Sequence, residues 1–248
     1  MAGDQRGLGS RSTGGVTARY AVYYVPAPES VLLHVGQRWL GRDVYSGDPV
    51  RRRMTLGLPL DQVTELTRSA ARYGLHATLK APFELAPDTS EDLLLSSARQ
   101  LGSSLVPISA QLSVGAIGEF LALLLTENEQ QVNELHRACL EYFEPQRAPL
   151  SEYDRTRRLQ APLSPEQLKA LDQFGYPYIL ENFRFHITLT QRIKDAERRA
   201  SVQQLLTDIF DRAWTEPHVI DAISILRQDD RQQPFKVIER VLLRGKST

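Results

Sequence analysis

The feature that most constrains this chain is a four-residue pattern, His-x-Thr-Leu, that occurs twice. The copies are His76–Leu79 and His186–Leu189, and their histidines lie 186 − 76 = 110 residues apart. Both copies fall in apolar and β-branched runs that are typical of β-strands, 75–85 and 183–190. Because a chain with five histidines has little chance of containing this pattern twice, the repeat indicates two related structural units.

Strand geometry predicts which side chains of each copy lie together. Successive side chains of a strand point to opposite faces, so His76 shares a face with Thr78, and His186 with Thr188. The intervening apolar residues then form the other face of each strand. The same alternation places three cations beside the motifs as candidate anion-binding residues: Arg72, Lys80 and Arg184.

The order of predicted elements also repeats. A His strand, a helix and a strand pair occupy about 72–126, and the same order returns at about 182–244. We therefore expect an α+β fold with two pseudo-symmetric lobes, each an antiparallel sheet with helices, and a central groove that receives one His-x-Thr motif from each lobe. Residues 17–248 are predicted to form this single bilobal domain, and residues 1–16, rich in Gly, Ser and Arg, a disordered leader.

Composition narrows the possible partners. Thirty basic residues balance thirty acidic ones, which argues against a bulk nucleic-acid binder but leaves a small anionic ligand possible. Cys139 has no partner for a disulfide, and no apolar run is long enough to span a membrane. These features predict a cytoplasmic protein without a cofactor, and we expect a monomer.

His136 falls in a helical pattern at 130–143, where we expect it at the surface.

Paired imidazoles suit acid–base chemistry on phosphate. With unperturbed pKa values of about 6.5, one imidazole can be neutral and the other protonated near neutral pH. Thr78 and Thr188 can donate hydrogen bonds to phosphate oxygens. Neither motif contains an acidic residue, so the ligand set of a metal site is incomplete and no metal is predicted.

At these residues the chain resembles the two-histidine (2H) phosphoesterase superfamily, in the branch associated with bacterial phosphonate-use operons. The resemblance implies a metal-independent phosphodiesterase, a hydrolase that opens a small cyclic phosphate with His76 and His186 as acid and base. The substrate would be a cyclic ribosyl phosphate from phosphonate breakdown or a nucleoside 2′,3′-cyclic phosphate, and Tyr73 and Tyr178 are further candidate contacts. The segments that carry the resemblance are Arg19–Tyr24, Trp39–Asp43, Arg72–Phe83, Gly175–Tyr178 and Phe183–Thr190.

Two alternatives stay open at this stage. The groove could bind a nucleotide or cyclic phosphate without turning it over, since a fold does not fix a function. The protein could instead process RNA ends, with Tyr176 and Tyr178 stacking a base. The balanced net charge favours a small substrate over RNA.

Overall fold

The computed structural model describes residues 18–52, 57–211 and 218–245. The leader predicted at 1–16 lies outside these residues. Within the described segments, no helix combines the length and apolar character that crossing a membrane requires.

The described residues form nine strands and seven α-helices. The strands are β1 (Arg19–Tyr24), β2 (Ala77–Glu84), β3 (Ile108–Ala110), β4 (Leu112–Ile117), β5 (Phe120–Leu125), β6 (His186–Thr188), β7 (His218–Ile220), β8 (Ala222–Gln228) and β9 (Lys236–Leu242). The helices are α1 (Val31–Leu40), α2 (Leu60–Ala71), α3 (Glu91–Ser104), α4 (Glu129–Tyr142), α5 (Glu152–Arg158), α6 (Pro165–Phe174) and α7 (Ala196–Asp211).

Local sequence signals set the helix ends. Helix α1 begins after Ser30, whose hydroxyl accepts a hydrogen bond from the Leu33 amide, and it ends at Gly41, whose φ of 76° favours glycine. Helix α6 begins with a capping box in which Ser164 and Gln167 bond each other's backbone amides. These caps are encoded in the local sequence, next to the helices that they end.

Seven strands form one antiparallel sheet in the order β4-β5-β6-β2-β1-β8-β9, and β3 and β7 form a separate pair. Strand β1 lies inside the large sheet and is buried along its whole length. Helix α4 contacts β2, α3 contacts β8 and β9, and α7 contacts β4 and β5. The α+β class is thus confirmed.

The expectation of one sheet for each unit is corrected by this topology. Strands β2 and β6, which carry the two motifs, are direct neighbours. The β4–β5 hairpin of the first unit pairs with β6 of the second, and β8 of the second unit pairs with β1. The two units therefore share one sheet, because the β4–β5 hairpin satisfies the free edge of β6 and β8 satisfies that of β1.

Candidate functional site

The two His-x-Thr motifs lie side by side at the junction of β2 and β6. Ala77 is paired with Ile187 in antiparallel register. Continuing that register places His76 opposite Thr188 and Thr78 opposite His186, with directly opposite Cβ atoms about 4.5 to 5.5 Å apart in such pairs. The four polar side chains thus form one group with a local two-fold arrangement, in which each histidine lies beside the threonine of the other copy.

Strand β6 has only three residues, and neighbouring elements hold it in place. The Trp39 indole Nε1 of α1 donates a 2.8 Å hydrogen bond to the Leu189 carbonyl. The Thr190 hydroxyl accepts from the Leu121 amide of β5 at 2.9 Å. A motif on such a short strand therefore depends on tertiary contacts for its orientation.

Both imidazoles make the same local hydrogen bond. His76 Nδ1 lies 3.0 Å from the Gly74 carbonyl, and His186 Nδ1 lies 2.8 Å from the Arg184 carbonyl, in each case two residues earlier. Because a carbonyl oxygen can only accept, each Nδ1 carries the proton. In the neutral imidazole, Nε2 is then left as a hydrogen-bond acceptor.

The surroundings of His76 and His186 favour the neutral form of both imidazoles. Burial lowers the pKa of His76 to about 4, and the neighbouring His186 contributes to the same shift. Burial is also the main cause that lowers the pKa of His186, and the Arg184 charge adds to it. The structure therefore differs from the expectation of one neutral and one protonated imidazole, because the surrounding apolar core disfavours charge on both.

Two adjoining cavities open on this group. The first, of about 300 Å³, is lined by His76, Thr78 and Thr188 together with Arg19, Arg157 and Arg158, and no Asp or Glu side chain lines it. The second, of about 320 Å³, is lined by His186 with Arg184 and Arg192, again without a carboxylate. Three residues line both cavities: Thr78, Ala81 and Tyr176. We call the two cavities together the groove.

The structure brings most of the predicted site residues to the groove. Tyr73 lines the first cavity with His76 and both threonines, while Arg184 and Tyr178 line the second. Arg72 is not among the lining residues. It caps the end of α2 rather than extending a strand, is exposed, and donates to the Arg231 carbonyl.

Lys80 is also placed away from the groove. Its ammonium donates to the Leu140 carbonyl at 3.1 Å and forms a 2.6 Å ion pair with Glu144, and its side chain is 2 % exposed. The pairing of β2 with β1 shifts between Thr78 and Lys80, which marks an extra residue in β2. One extra residue reverses which face the following side chains occupy, and the simple alternation used in the sequence analysis missed it.

His136 is buried, in contrast to its predicted surface position. Nδ1 donates to the Leu79 carbonyl at 2.7 Å and Nε2 accepts from the Leu180 amide at 3.2 Å. The ring stacks on Phe183 with 3.8 Å between centroids. Its role is thus to join α4 and β2 to the segment that precedes β6, because both ring nitrogens are already bonded.

The arginines of the first cavity were not predicted from the sequence. Arg19 begins β1, whereas Arg157 and Arg158 end α5 in the charged connector between the two units. No local pattern distinguishes them from solvated surface arginines, since only the tertiary fold brings them together. Among the described residues, no group of three or more His, Cys, Asp or Glu side chains is arranged to hold a metal ion.

Comparison with known proteins places these features in a family. A family model described as "Protein of unknown function (DUF1045)" matches residues 78–236. A protein of Janthinobacterium sp. (strain Marseille) named ribose 1,5-bisphosphate phosphokinase PhnN is 34% identical over 235 residues, which are 92% of this chain and 51% of that protein. A protein of the same name from Laribacter hongkongensis is 30% identical over 225 residues, 91% of this chain and 52% of that protein. The chain thus spans about half the length of these curated relatives.

Likeness to solved structures is weaker. A Thermus thermophilus protein has a TM-score of 0.46 at 16% identity, covering 92% of this chain and 100% of that one. An Agrobacterium tumefaciens conserved protein of unknown function has a TM-score of 0.43 at 17% identity, covering 97% and 94%.

The names of the curated relatives correct the predicted activity. A phosphokinase transfers a phosphoryl group, whereas the sequence analysis predicted a hydrolase of cyclic phosphodiesters, with an RNA end-processing diesterase as an alternative. The phosphodiesterase prediction is therefore wrong. The two-histidine pattern indicated phosphate chemistry, but such residues can serve more than one reaction, so the pattern alone did not fix the reaction class.

Proposed function

Since the chain belongs to the DUF1045 family, we propose that it is a domain that binds a phosphorylated ribose. The matched region begins at Thr78 and includes nearly all of β2, the whole of β6 and most of the residues that line the groove. In the curated relatives, a domain of this kind accompanies a ribose 1,5-bisphosphate phosphokinase activity. The observation that carries the proposal is the lining of the groove. It combines arginines and threonine hydroxyls with two neutral imidazoles, and includes no carboxylate.

Each part of that lining matches one part of a sugar phosphate. Arginine and threonine donate hydrogen bonds, which phosphate oxygens accept. The Nε2 atoms of His76 and His186, which have no hydrogen-bond partner among the described residues, accept hydrogen bonds, which sugar hydroxyls donate. A site for phosphate alone would gain nothing from two neutral acceptors, so the mixture favours a ligand with both groups.

The charge of the groove contrasts with that of the whole chain. Thirty basic and thirty acidic residues give a net charge of zero, yet the two cavities together have 3 + 2 = 5 arginines and no acidic side chain. Arg184 and Arg192 form no ion pair with any residue of the described ranges. Such a concentration of positive charge attracts a small anion.

We place nucleotide binding outside this chain. A P-loop has the pattern Gly-x-x-x-x-Gly-Lys-Ser/Thr, whose glycines let the backbone wrap the phosphates. The sequence Gly245-Lys246-Ser247 has Arg240 where that pattern needs its first glycine. Because the curated relatives are about twice as long as the matched region, their remaining half offers a place for phosphoryl transfer. The resemblance to the 2H superfamily stays a prediction, supported here by the pairing of the two motifs on adjacent strands.

Equilibrium binding tests the proposal. In calorimetric titrations of the full chain at pH 7.5, ribose 5-phosphate should bind at least about tenfold more tightly than ribose or inorganic phosphate, because only it engages both kinds of groups, a difference of about 1.4 kcal/mol. His76→Ala and Thr188→Val should each weaken it severalfold. His34→Ala is the matched control, since His34 is exposed on α1 and bonds only the Ser30 carbonyl. Equal affinity for ribose 5-phosphate and inorganic phosphate, or no binding of either, would refute the proposal.

A further inference from the structure

The lining of the first cavity has two chemically different parts. One part is the His76–Thr188 group on the sheet. The other is a set of arginines from elements that do not belong to the repeated units: Arg19 of β1, and Arg157 and Arg158 at the end of α5. We call this set the arginine wall. Since the repeated motifs supply only the first part, the arginine wall must be explained by a different part of the ligand or by packing.

Arg19 of the arginine wall forms no ion pair with any carboxylate of the described residues. Its side chain is 7% exposed, and its Nε donates a 2.9 Å hydrogen bond to the amide oxygen of Gln228, which also accepts from Nη2. An amide oxygen satisfies the donors without cancelling the charge. Burial is the main cause that lowers the pKa of Arg19, and the charge of Arg231 adds to it. A buried cation without a carboxylate partner costs stability, so a packing role alone is a poor explanation.

Arg158 lines the same cavity and forms no ion pair with any described residue. Its Nε is buried and makes no hydrogen bond to any residue of the described ranges. Its guanidinium lies over the ring of Tyr176, 4.6 Å from the centroid, which fixes the plane of the group without using its donors. Buried donors are nearly always bonded in folded proteins, so an oriented and unbonded one points to a missing acceptor.

Arg157 adds a third cation whose nearest carboxylate is already engaged. Asp154 lies 3.5 Å from Arg157, but it accepts two hydrogen bonds from Arg231, at 2.8 and 2.6 Å. The Arg231 bridge to Asp154 and Glu84 also ties α5 to β2. Asp154 thus helps to hold α5, which carries Arg157 and Arg158, against the sheet. Its negative charge is neutralised mainly by Arg231 rather than by Arg157.

We propose that the arginine wall is a second phosphate subsite, so that the groove selects a pentose carrying two phosphate groups over one carrying a single phosphate. This inference rests on the proposed binding of a phosphorylated ribose. One phosphate lies on Thr78 and Thr188, and the second accepts from Arg19 and Arg158, with Arg157 at the open side. Guanidinium groups present paired donors that match phosphate oxygens, so three of them suit a dianion.

The test compares ligands that differ by one phosphate. Calorimetric titration of the full chain with ribose 1,5-bisphosphate and with ribose 5-phosphate should show at least about tenfold tighter binding of the bisphosphate. In the Arg158→Gln variant, the affinity for the bisphosphate should differ from the affinity for ribose 5-phosphate by no more than about twofold. Arg155→Gln is the matched control on the same helix, because Arg155 pairs with Asp172 at 2.7 Å and does not line the groove. The Arg155→Gln variant should prefer the bisphosphate over ribose 5-phosphate by the same factor as the parent.

The outcomes separate this inference from the proposed function. If ribose 5-phosphate binds but the bisphosphate binds no more tightly, the second subsite is refuted while the proposed function stands. If Arg158→Gln keeps the full ratio although circular dichroism shows a folded protein, the second phosphate does not use the arginine wall and the inference fails. If neither ligand binds the parent, the proposed function fails and the second subsite fails with it.

Discussion

The imidazole of His76 lies on the ring of Tyr23, with 4.1 Å between the ring centroids and 26° between the planes. Tyr23 belongs to the buried strand β1 and is 1% exposed. His186 has a looser aromatic contact, with Phe120 at 5.8 Å and 51°. The two histidines thus share a motif and a backbone hydrogen bond but differ in support, and the first is held more rigidly.

This stack should control the pKa of His76. Tyr23→Leu removes the covering ring and admits water, so the pKa of His76 should rise from about 4 toward 6.5, since the shift is caused mainly by burial. Tyr23→Phe keeps the ring and should leave the pKa near the parent value. An NMR titration of the His76 ring signals measures both. The same pKa in the Leu variant as in the parent would mean that other residues exclude the water.

Acid should destabilise the protein through His136. Burial lowers the pKa of His136 to about 4, and its Nε2 must stay unprotonated to accept from the Leu180 amide. The unfolded chain therefore binds more protons than the folded one between about pH 6.5 and pH 4. The contribution to stability is full above pH 6.5 and declines as the pH falls through that window, by up to about 3 kcal/mol.

Urea unfolding at several pH values between 7.5 and 4.5 measures this effect. His136→Gln should be less stable than the parent at pH 7.5 but should lose less stability on acidification, because one titrating group is gone. His34→Gln, at an exposed position, should follow the parent. Parallel pH dependences for His136→Gln and the parent would contradict the prediction.

Lys80 should matter for stability and not for ligand binding. Lys80→Met removes the ion pair to Glu144 and leaves the Leu140 carbonyl without its donor, while Glu144 keeps its 2.7 Å contact with Arg147. We expect a loss of about 1 to 3 kcal/mol in the free energy of unfolding, with an unchanged dissociation constant for ribose 5-phosphate. Lys169→Met, at an exposed position of α6, should change neither quantity. A Lys80→Met variant that keeps its stability but binds ribose 5-phosphate less tightly would show that Lys80 contributes to the groove.

Gly36 should resist replacement despite its position inside α1. Alanine normally favours a helix over glycine by about 1 kcal/mol. A Cβ at this position would lie 2.3 Å from Cδ2 and 2.9 Å from Cγ of Leu75, a fully buried residue next to His76. Such overpacking costs about 1 to 3 kcal/mol, so Gly36→Ala should lower the melting temperature in a thermal scan. A higher melting temperature would show that Leu75 can move aside.

The sequence predicted what depends on local pattern. The helix at 130–143, the order of strand, helix and strand pair in each unit, and the polar face shared by each His and Thr all follow from periodicity and residue type. The strand of the second motif was predicted over 183–190, yet regular pairing covers only His186–Thr188. The residue types favour a strand over the longer range, but the length of the strand also depends on how many residues of an adjacent strand pair with it.

Relationships between distant segments escaped the sequence analysis. The position of Lys80 depends on an extra residue in β2, and the arginine wall depends on how the connector folds back onto β1. The sharing of one sheet by both units depends on which hairpin reaches which edge. Each of these outcomes depends on tertiary contacts between distant segments, which periodicity does not report. The single-domain assignment, the monomeric state and the cytoplasmic location stay predictions.

The exchange of strands between units has a consequence for folding order. Strand β1 pairs with β8, and Arg19 reaches Gln228 across a sequence separation of 209 residues. Contacts that join distant parts of a chain slow the search for the native state, because a large loop must close before any pairing energy is gained. The groove thus forms only when the last third of the chain joins the first strand. Two fragments divided in the exposed stretch at 160–162 should each remain incomplete alone and regain ligand affinity only on mixing.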